Sequence, residues 1–183
     1  ILFSLVLSSS AFAVGVKFTD VNPYKLVSTN VFSSQVYAGI YNIEVGGTAY
    51  DAFCLDLIIG VPYNPKEYTR TELKNASDAY FGSAGMGTQR ANDIAELWHD
   101  NYSPTMSADD AAGLQIAIWE VTSNDGAYDV WDTNSTFYLT SGSDYRANAM
   151  LSALDGSGFA SLQGFANGQY QDFVTANPVP EPS

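Results

Sequence analysis

Between residues 25 and 60 the chain carries three runs rich in Val, Ile, Tyr and Thr: YKLVSTNVF, SQVYAGIYNIEVGG and TAYDAFCLDLIIG. β-Branched and aromatic residues suit a pleated, half-buried surface, so each run predicts a strand. Gly46-Gly47 between the second and third runs predicts a two-residue hairpin, and the three strands read as a β-meander. In VYAGIYNIEV the alternation of apolar and polar positions is imperfect, which predicts a strand partly covered on both faces.

From about residue 66 to 122 the period changes. TRTELKNASDAYF opens with Thr69 followed three residues later by Glu72, QRANDIAELWHDNY places Ile94, Leu97 and Trp98 at helical spacing, and SADDAAGLQIAIWEV begins with the capping-box-like Ser107-x-x-Asp110. These segments predict helices. The strand-like STFYLTSG, a short helical DYRANAMLSAL and a last aromatic strand-like stretch, QGFANGQYQDFV, follow. Helical sequence bracketed by β-type sequence predicts an α+β fold: one antiparallel β-sheet or sandwich-like unit with a helical insertion packed over it.

The 183 residues, 46% of them hydrophobic, suffice for one domain with a real core. A net charge of -13 repels phosphate backbones and anionic lipid, which argues against nucleic acid as a partner. At the N-terminus, ILFSLVLSSSAFAVG combines a short apolar run with an A-x-A site at Ala11-Phe12-Ala13, the pattern of a secretory signal peptide, so residues 1–13 are expected to be leader and the mature chain to begin near Val14. The domain proper is then 14–176. Residues 177–183 contain Pro178, Pro180 and Pro182 and read as an extended linker. VPEPS, residues 179–183, resembles the opening of the PEP-CTERM sorting signal of Gram-negative bacteria. That resemblance implies a secreted or cell-surface protein, attached to a membrane only through a C-terminal anchor beyond the motif.

Cys54 is the sole cysteine. In a β-run it reads first as a small buried hydrophobe, but in an exported chain it also raises intermolecular pairing or a reactive thiol. A second motif bears on the choice. In GLQIAIWEV, Gln115 lies one helical turn before Trp119 and three residues before Ile118, so its amide faces inward with bulky apolar groups and needs a partner there. Taken together, the FCLD stretch around Cys54 and the LQIAIW stretch around Gln115 resemble the paired signature of bacterial thioester domains, surface-adhesin modules whose Cys and Gln side chains join in an internal thioester.

The resemblance implies that Cys54 and Gln115 form such a bond, that the helical insertion covers it, and that an amine or hydroxyl on a surface protein or polysaccharide is captured once, without enzymatic turnover and without a cofactor. The bond must be sheltered from water until its target arrives, a role that falls to Phe53, Trp98 and Trp119. Asp56, two residues from Cys54 and hence on the same face of a regular strand, is a candidate modulator that could relay protons during bond formation or attack, though as a carboxylate it would also raise the thiol pKa. His99 reads either as a solvated helix residue or as a base assisting the incoming nucleophile. No metal site is expected: His99 and Cys54 lie in different motifs, and the acids of SNDGAYDVWD lack calcium-loop spacing and read as a turn. The alternative is a passive extracellular matrix protein in which Cys54 and Gln115 are ordinary core residues.

Overall fold

Gly46 and Gly47 both have positive φ, 58° and 87°, as the hairpin turn requires. They join β2 (Val36–Val45) to β3 (Thr48–Cys54), whose ladder runs from Val45↔Thr48 to Tyr41↔Ala52. The computed structural model describes residues 12–76, 85–124 and 126–178.

The other strands are β1 (Phe12–Thr29), β4 (Lys66–Thr71), β5 (Leu139–Ser141), β6 (Leu162–Ala166) and β7 (Phe173–Ala176). Every pairing is antiparallel. β1 is long enough to serve two neighbours, pairing β4 through residues 12–16 and β2 through residues 16–27. The strands β1, β2, β3, β7, β6 and β4 are thereby linked into a closed ring, with β5 added at the far end of β1. Closure removes exposed edges that would otherwise invite pairing with another chain.

Among the described residues, two α-helices and a short third one pack with these strands: α1 (Gly87–Asn101), α2 (Ala108–Ser123) and α3 (Ala147–Ser152). Helix α2 begins as its sequence predicts, with the Ser107 hydroxyl accepting from the Asp110 backbone N–H at 3.1 Å and donating to the Asp110 carboxylate at 2.6 Å. Residues 111–122 of α2 are buried on every side, because the helix packs against β1, β2 and β3 and also against α1 and α3. A helix apolar all round is stable only when enclosed in this way. Gly113 lets the chain before α3 cross α2 closely, since a Cβ there would collide with the Tyr145 carbonyl oxygen.

The α+β architecture holds, and two element boundaries differ from the sequence reading. The expected helix starting near Thr69 is strand β4 followed by a single 3-10 turn over Leu73–Asn75. KEYTRT lies between β1 and β6, and ladder bonds on both sides (Phe12↔Arg70, Thr69↔Ala166) outweigh a weak local helical signal. Described α-helical structure therefore begins at Gly87, not near residue 66. The single strand expected from QGFANGQYQDFV is instead the β6–β7 hairpin. Asn167 turns the chain, its side-chain oxygen accepting from the N–H groups of Gln169 (2.9 Å) and Tyr170 (3.1 Å). Finally, Phe12 and Ala13 are ladder residues, paired with Arg70 and Thr69, so the expected leader boundary falls within β1. The rest of that segment and the sorting motif at 179–183 lie outside the described residues.

Candidate functional site: the Cys54–Gln115 pair

Cys54 is the last residue of β3, and its own backbone defines the site. The Leu55 N–H bonds the Asp172 carbonyl on the β7 side at 2.9 Å. Since neighbouring residues of a strand point their backbone groups to opposite edges, those of Cys54 face the β2 edge. The β2–β3 ladder has already ended at Tyr41↔Ala52. Gln115 fills the vacancy: the Cys54 N–H donates to Gln115 Oε1 at 2.8 Å, and Gln115 Nε2 donates to the Cys54 carbonyl at 2.9 Å. A side-chain amide thus stands in for a missing strand residue, and both residues are fully buried. All four polar groups are satisfied, as burial demands.

The same arrangement has chemical consequences. It holds the Gln115 carboxamide against the residue whose thiol would attack it, and it aims a fixed N–H at the oxygen on which negative charge would develop. A preorganised donor of this kind is the usual means of stabilising a tetrahedral acyl intermediate. The Cys54 thiol itself is pushed well above its ordinary pKa, first by burial; a hydrogen bond with the Tyr41 hydroxyl pulls it down, and the Asp56 carboxylate pushes it up. A neutral thiol is thus the resting form of the free cysteine.

The surrounding residues divide into two groups. Phe53 is fully buried and makes an edge contact with Trp98 of α1 (centroids 5.3 Å apart, planes at 89°) and another with Tyr102 at 6.5 Å. Trp119 is buried one turn beyond Gln115 and packs on Phe137 at 6.2 Å. All three expected cover residues are buried, but Phe53, next to Cys54 on β3, turns its ring and the Trp98 packed on it to the face opposite the thiol. Asp56 is buried just past β3, where its carboxylate accepts from the Asp172 N–H at 2.7 Å and its carbonyl from Gln171 Nε2 at 2.6 Å. His99 does not join the cluster. It is exposed on α1, its Nδ1 2.7 Å from the Asp100 carboxylate and its ring against Gly158.

Sequence reading missed Tyr41. The hairpin register sets Tyr41 opposite Ala52, hence on the face that also carries Cys54, one diagonal step away. That step was available from Gly46-Gly47 alone. Phe173 faces Cys54 directly from β7 and touches the rings of Tyr41 (6.2 Å) and Tyr68 (5.9 Å). Its proximity depends on where β7 inserts, which no local signal reveals. The Tyr41 hydroxyl contacts the thiol and also donates to the Tyr37 carbonyl at 2.9 Å. Beside it opens a cleft of about 470 Å³ lined by Tyr24, Phe32, Tyr37, Tyr41, Trp119 and Gln171, among others.

Among the described residues, no three His, Cys, Asp or Glu side chains are grouped so as to hold a metal ion, and no helix is long and apolar enough to cross a membrane. The acidic segment after α2 caps its own backbone instead, with Asp129 accepting from the Trp131 N–H and Asp132 from the Asn134 N–H.

No protein-family model and no curated protein matches the sequence. Among solved structures, the chain is similar to the N-terminal thioester domain of a surface protein from Clostridium perfringens, with a TM-score of 0.54 and 13% identity over 92% of this chain and 100% of that one. The protein therefore has the fold of a bacterial thioester domain. At this identity the likeness establishes the fold and nothing finer.

Proposed function

We propose that the protein is an exported surface domain in which Cys54 and Gln115 form an internal thioester that captures an amine or hydroxyl on a target surface. The observation that carries this reading is the reciprocal pair of hydrogen bonds between the Gln115 amide and the Cys54 backbone, set in a fold shared with a surface-protein thioester domain. In bond formation the sulfur adds to the Gln115 carbonyl carbon, the Cys54 N–H steadies the oxyanion, and nitrogen departs as ammonia carrying the thiol proton. Sulfur is then the better leaving group, which activates the acyl carbon toward nucleophiles. Attack by the target frees the thiol and leaves the target acylated on Gln115. Each molecule reacts once, so the role is adhesion and not turnover. The export and sorting signals read at residues 1–13 and 179–183 fit a Gram-negative cell surface.

The same hydrogen bonds would also satisfy an ordinary buried glutamine, and this supports the second reading, a passive matrix protein. Intact mass separates the two. A thioester lowers the mass by one ammonia relative to the sequence and blocks alkylation of Cys54 in freshly denatured protein. Full sequence mass with an alkylatable Cys54 leaves the passive reading.

A further inference from the structure

A buried thioester poses a problem of access and of protons. Cys54 and Gln115 are both fully buried, so a nucleophile must reach them by a defined path, and the sulfur it displaces must be protonated where bulk water does not enter. The sequence nominates Asp56 for this task, but its carboxylate is engaged by the Asp172 N–H, on the backbone that continues into β7.

Tyr41 meets both requirements. Its hydroxyl donates to the Tyr37 carbonyl at 2.9 Å, its ring stands on the face of the β2–β3 pair that carries the Cys54 thiol, which it influences, and both tyrosines line the cleft. Only 6% of Tyr41 is exposed, whereas Tyr37 is 49% exposed, so the chain from thiol to Tyr41 to Tyr37 leads from the core to the surface. Trp119, one turn after Gln115, lines the same cleft, and its indole N–H has no hydrogen-bond partner among the described residues.

We propose that Tyr41 is the proton relay of the Cys54–Gln115 site and that the cleft beside it is the path by which the target's nucleophile enters. The proposal rests on the thioester reading. As the nucleophile attacks, its new bond to the Gln115 acyl carbon forms and the carbon–sulfur bond breaks. The proton leaving the nucleophile passes to the Tyr41 oxygen while the Tyr41 hydroxyl proton, turned from the Tyr37 carbonyl, passes to the sulfur. Tyr41 ends as it began. Burial keeps the phenol protonated far above neutral pH, so it hands protons on and does not act as a phenolate base.

The lining also selects the nucleophile. Asp20 is the one charged residue among those lining the cleft, and rings from Phe18, Tyr24, Phe32 and Tyr37 surround the approach. Aromatic faces and a carboxylate attract an alkylammonium group, which gives up one proton to solvent water before its free amine attacks, so the occupant is a primary amine on a slender arm.

The test uses the full chain with methylamine as probe, after intact mass has established the thioester in the wild type. Tyr41→Phe keeps the ring and removes only the hydroxyl. Its rate of methylamine uptake is expected to fall about a hundredfold, the usual worth of a positioned proton-transfer group. The solvent isotope effect on the wild-type rate should shrink in the variant, which a merely structural role would not cause. A folded Tyr41→Phe that never loses ammonia also supports the relay, since bond formation moves the thiol proton over the same group. Gly60→Trp probes the path. Gly60 lines the cleft with open space where a Cβ would stand, so the indole can narrow the entrance without backbone strain. That variant should form the bond but take up amines more slowly, the more so the larger the amine. Unchanged uptake and isotope effect in Tyr41→Phe overturn the relay, and unchanged uptake in Gly60→Trp overturns the path. A wild-type protein without ammonia loss overturns the thioester reading itself and the relay with it.

Discussion

The carboxamide of Gln115 takes the place beside Cys54 that strand β2 leaves empty, accepting from the Cys54 N–H at 2.8 Å and donating to its carbonyl at 2.9 Å. One side chain from a buried helix thus completes a β-ladder and sets a carboxamide against the backbone of the residue that carries the only thiol in the chain. Removing either partner has unequal consequences. Cys54→Ala leaves a small cavity and keeps both backbone bonds, at a cost of about 1 kcal/mol. Gln115→Ala strands a buried N–H and a buried carbonyl in addition to its cavity, so a loss of roughly 2–4 kcal/mol is expected. Denaturant unfolding of the two variants measures the difference, and both should fail to take up methylamine. Equal stability of the two would contradict the role given to the amide.

Phe53 ties the strand bearing Cys54 to α1. Its ring is fully buried in edge contacts with Trp98 and Tyr102. Phe53→Ala should cost about 3–5 kcal/mol in equilibrium unfolding, whereas Phe53→Leu, which retains most of the volume, should cost less than half of that.

Gly113 offers a test of packing against propensity. Alanine is the better helix former by about 1 kcal/mol. Here its methyl group would collide with the Tyr145 backbone oxygen, and a carbonyl cannot swing aside as a flexible side chain does. Gly113→Ala is therefore expected to lower the Tm, while Ala112→Gly, on the same buried helix, lowers it for the opposite reason of lost propensity and volume. A Gly113→Ala protein more stable than the wild type would show that the segment before α3 is free to move.

Glu120 makes stability depend on pH near neutrality. Burial raises its carboxyl from 4.5 to about 7, against the opposing pull of the Asp129 N–H and the Asn124 amide, with Asp129 and Asp132 adding their negative charge. The folded chain holds this proton more tightly than the unfolded chain. Its stabilising contribution is accordingly present in full below the unfolded pKa and is lost as pH rises through the folded one. The Tm of Glu120→Gln relative to wild type should therefore rise between about pH 5 and about pH 8, by an amount equivalent to a few kcal/mol at most. A difference that is flat across this range would mean that Glu120 titrates normally.

Much of the fold was legible because it rests on local chemistry. Gly46-Gly47 could only turn a hairpin, Ser107 with Asp110 could only begin a helix cleanly, and the inward amide of Gln115 required a partner. Local chemistry also misled: KEYTRT has helix-compatible residues and Asn167-Gly168 sits inside an aromatic run, yet one became a central strand and the other a turn. A strand's identity depends on what pairs with it, and the partners of β4 lie fifty or more residues before it and more than ninety after it.

The amino-acid sequence alone singled out the candidate pair, a lone thiol and an inward amide, since their types and helical or strand settings are local properties. Only the tertiary structure decided how they meet. It ended the β2 ladder at Tyr41, sent the backbone groups of Cys54 toward the gap, and placed α2 so that Gln115 entered it. It also set Tyr41 between the thiol and a cleft, and left His99 at the surface. Register, ring closure and the crossing of a helix over a sheet are fixed by contacts between distant segments, and no window of neighbouring residues contains the free energy that selects them.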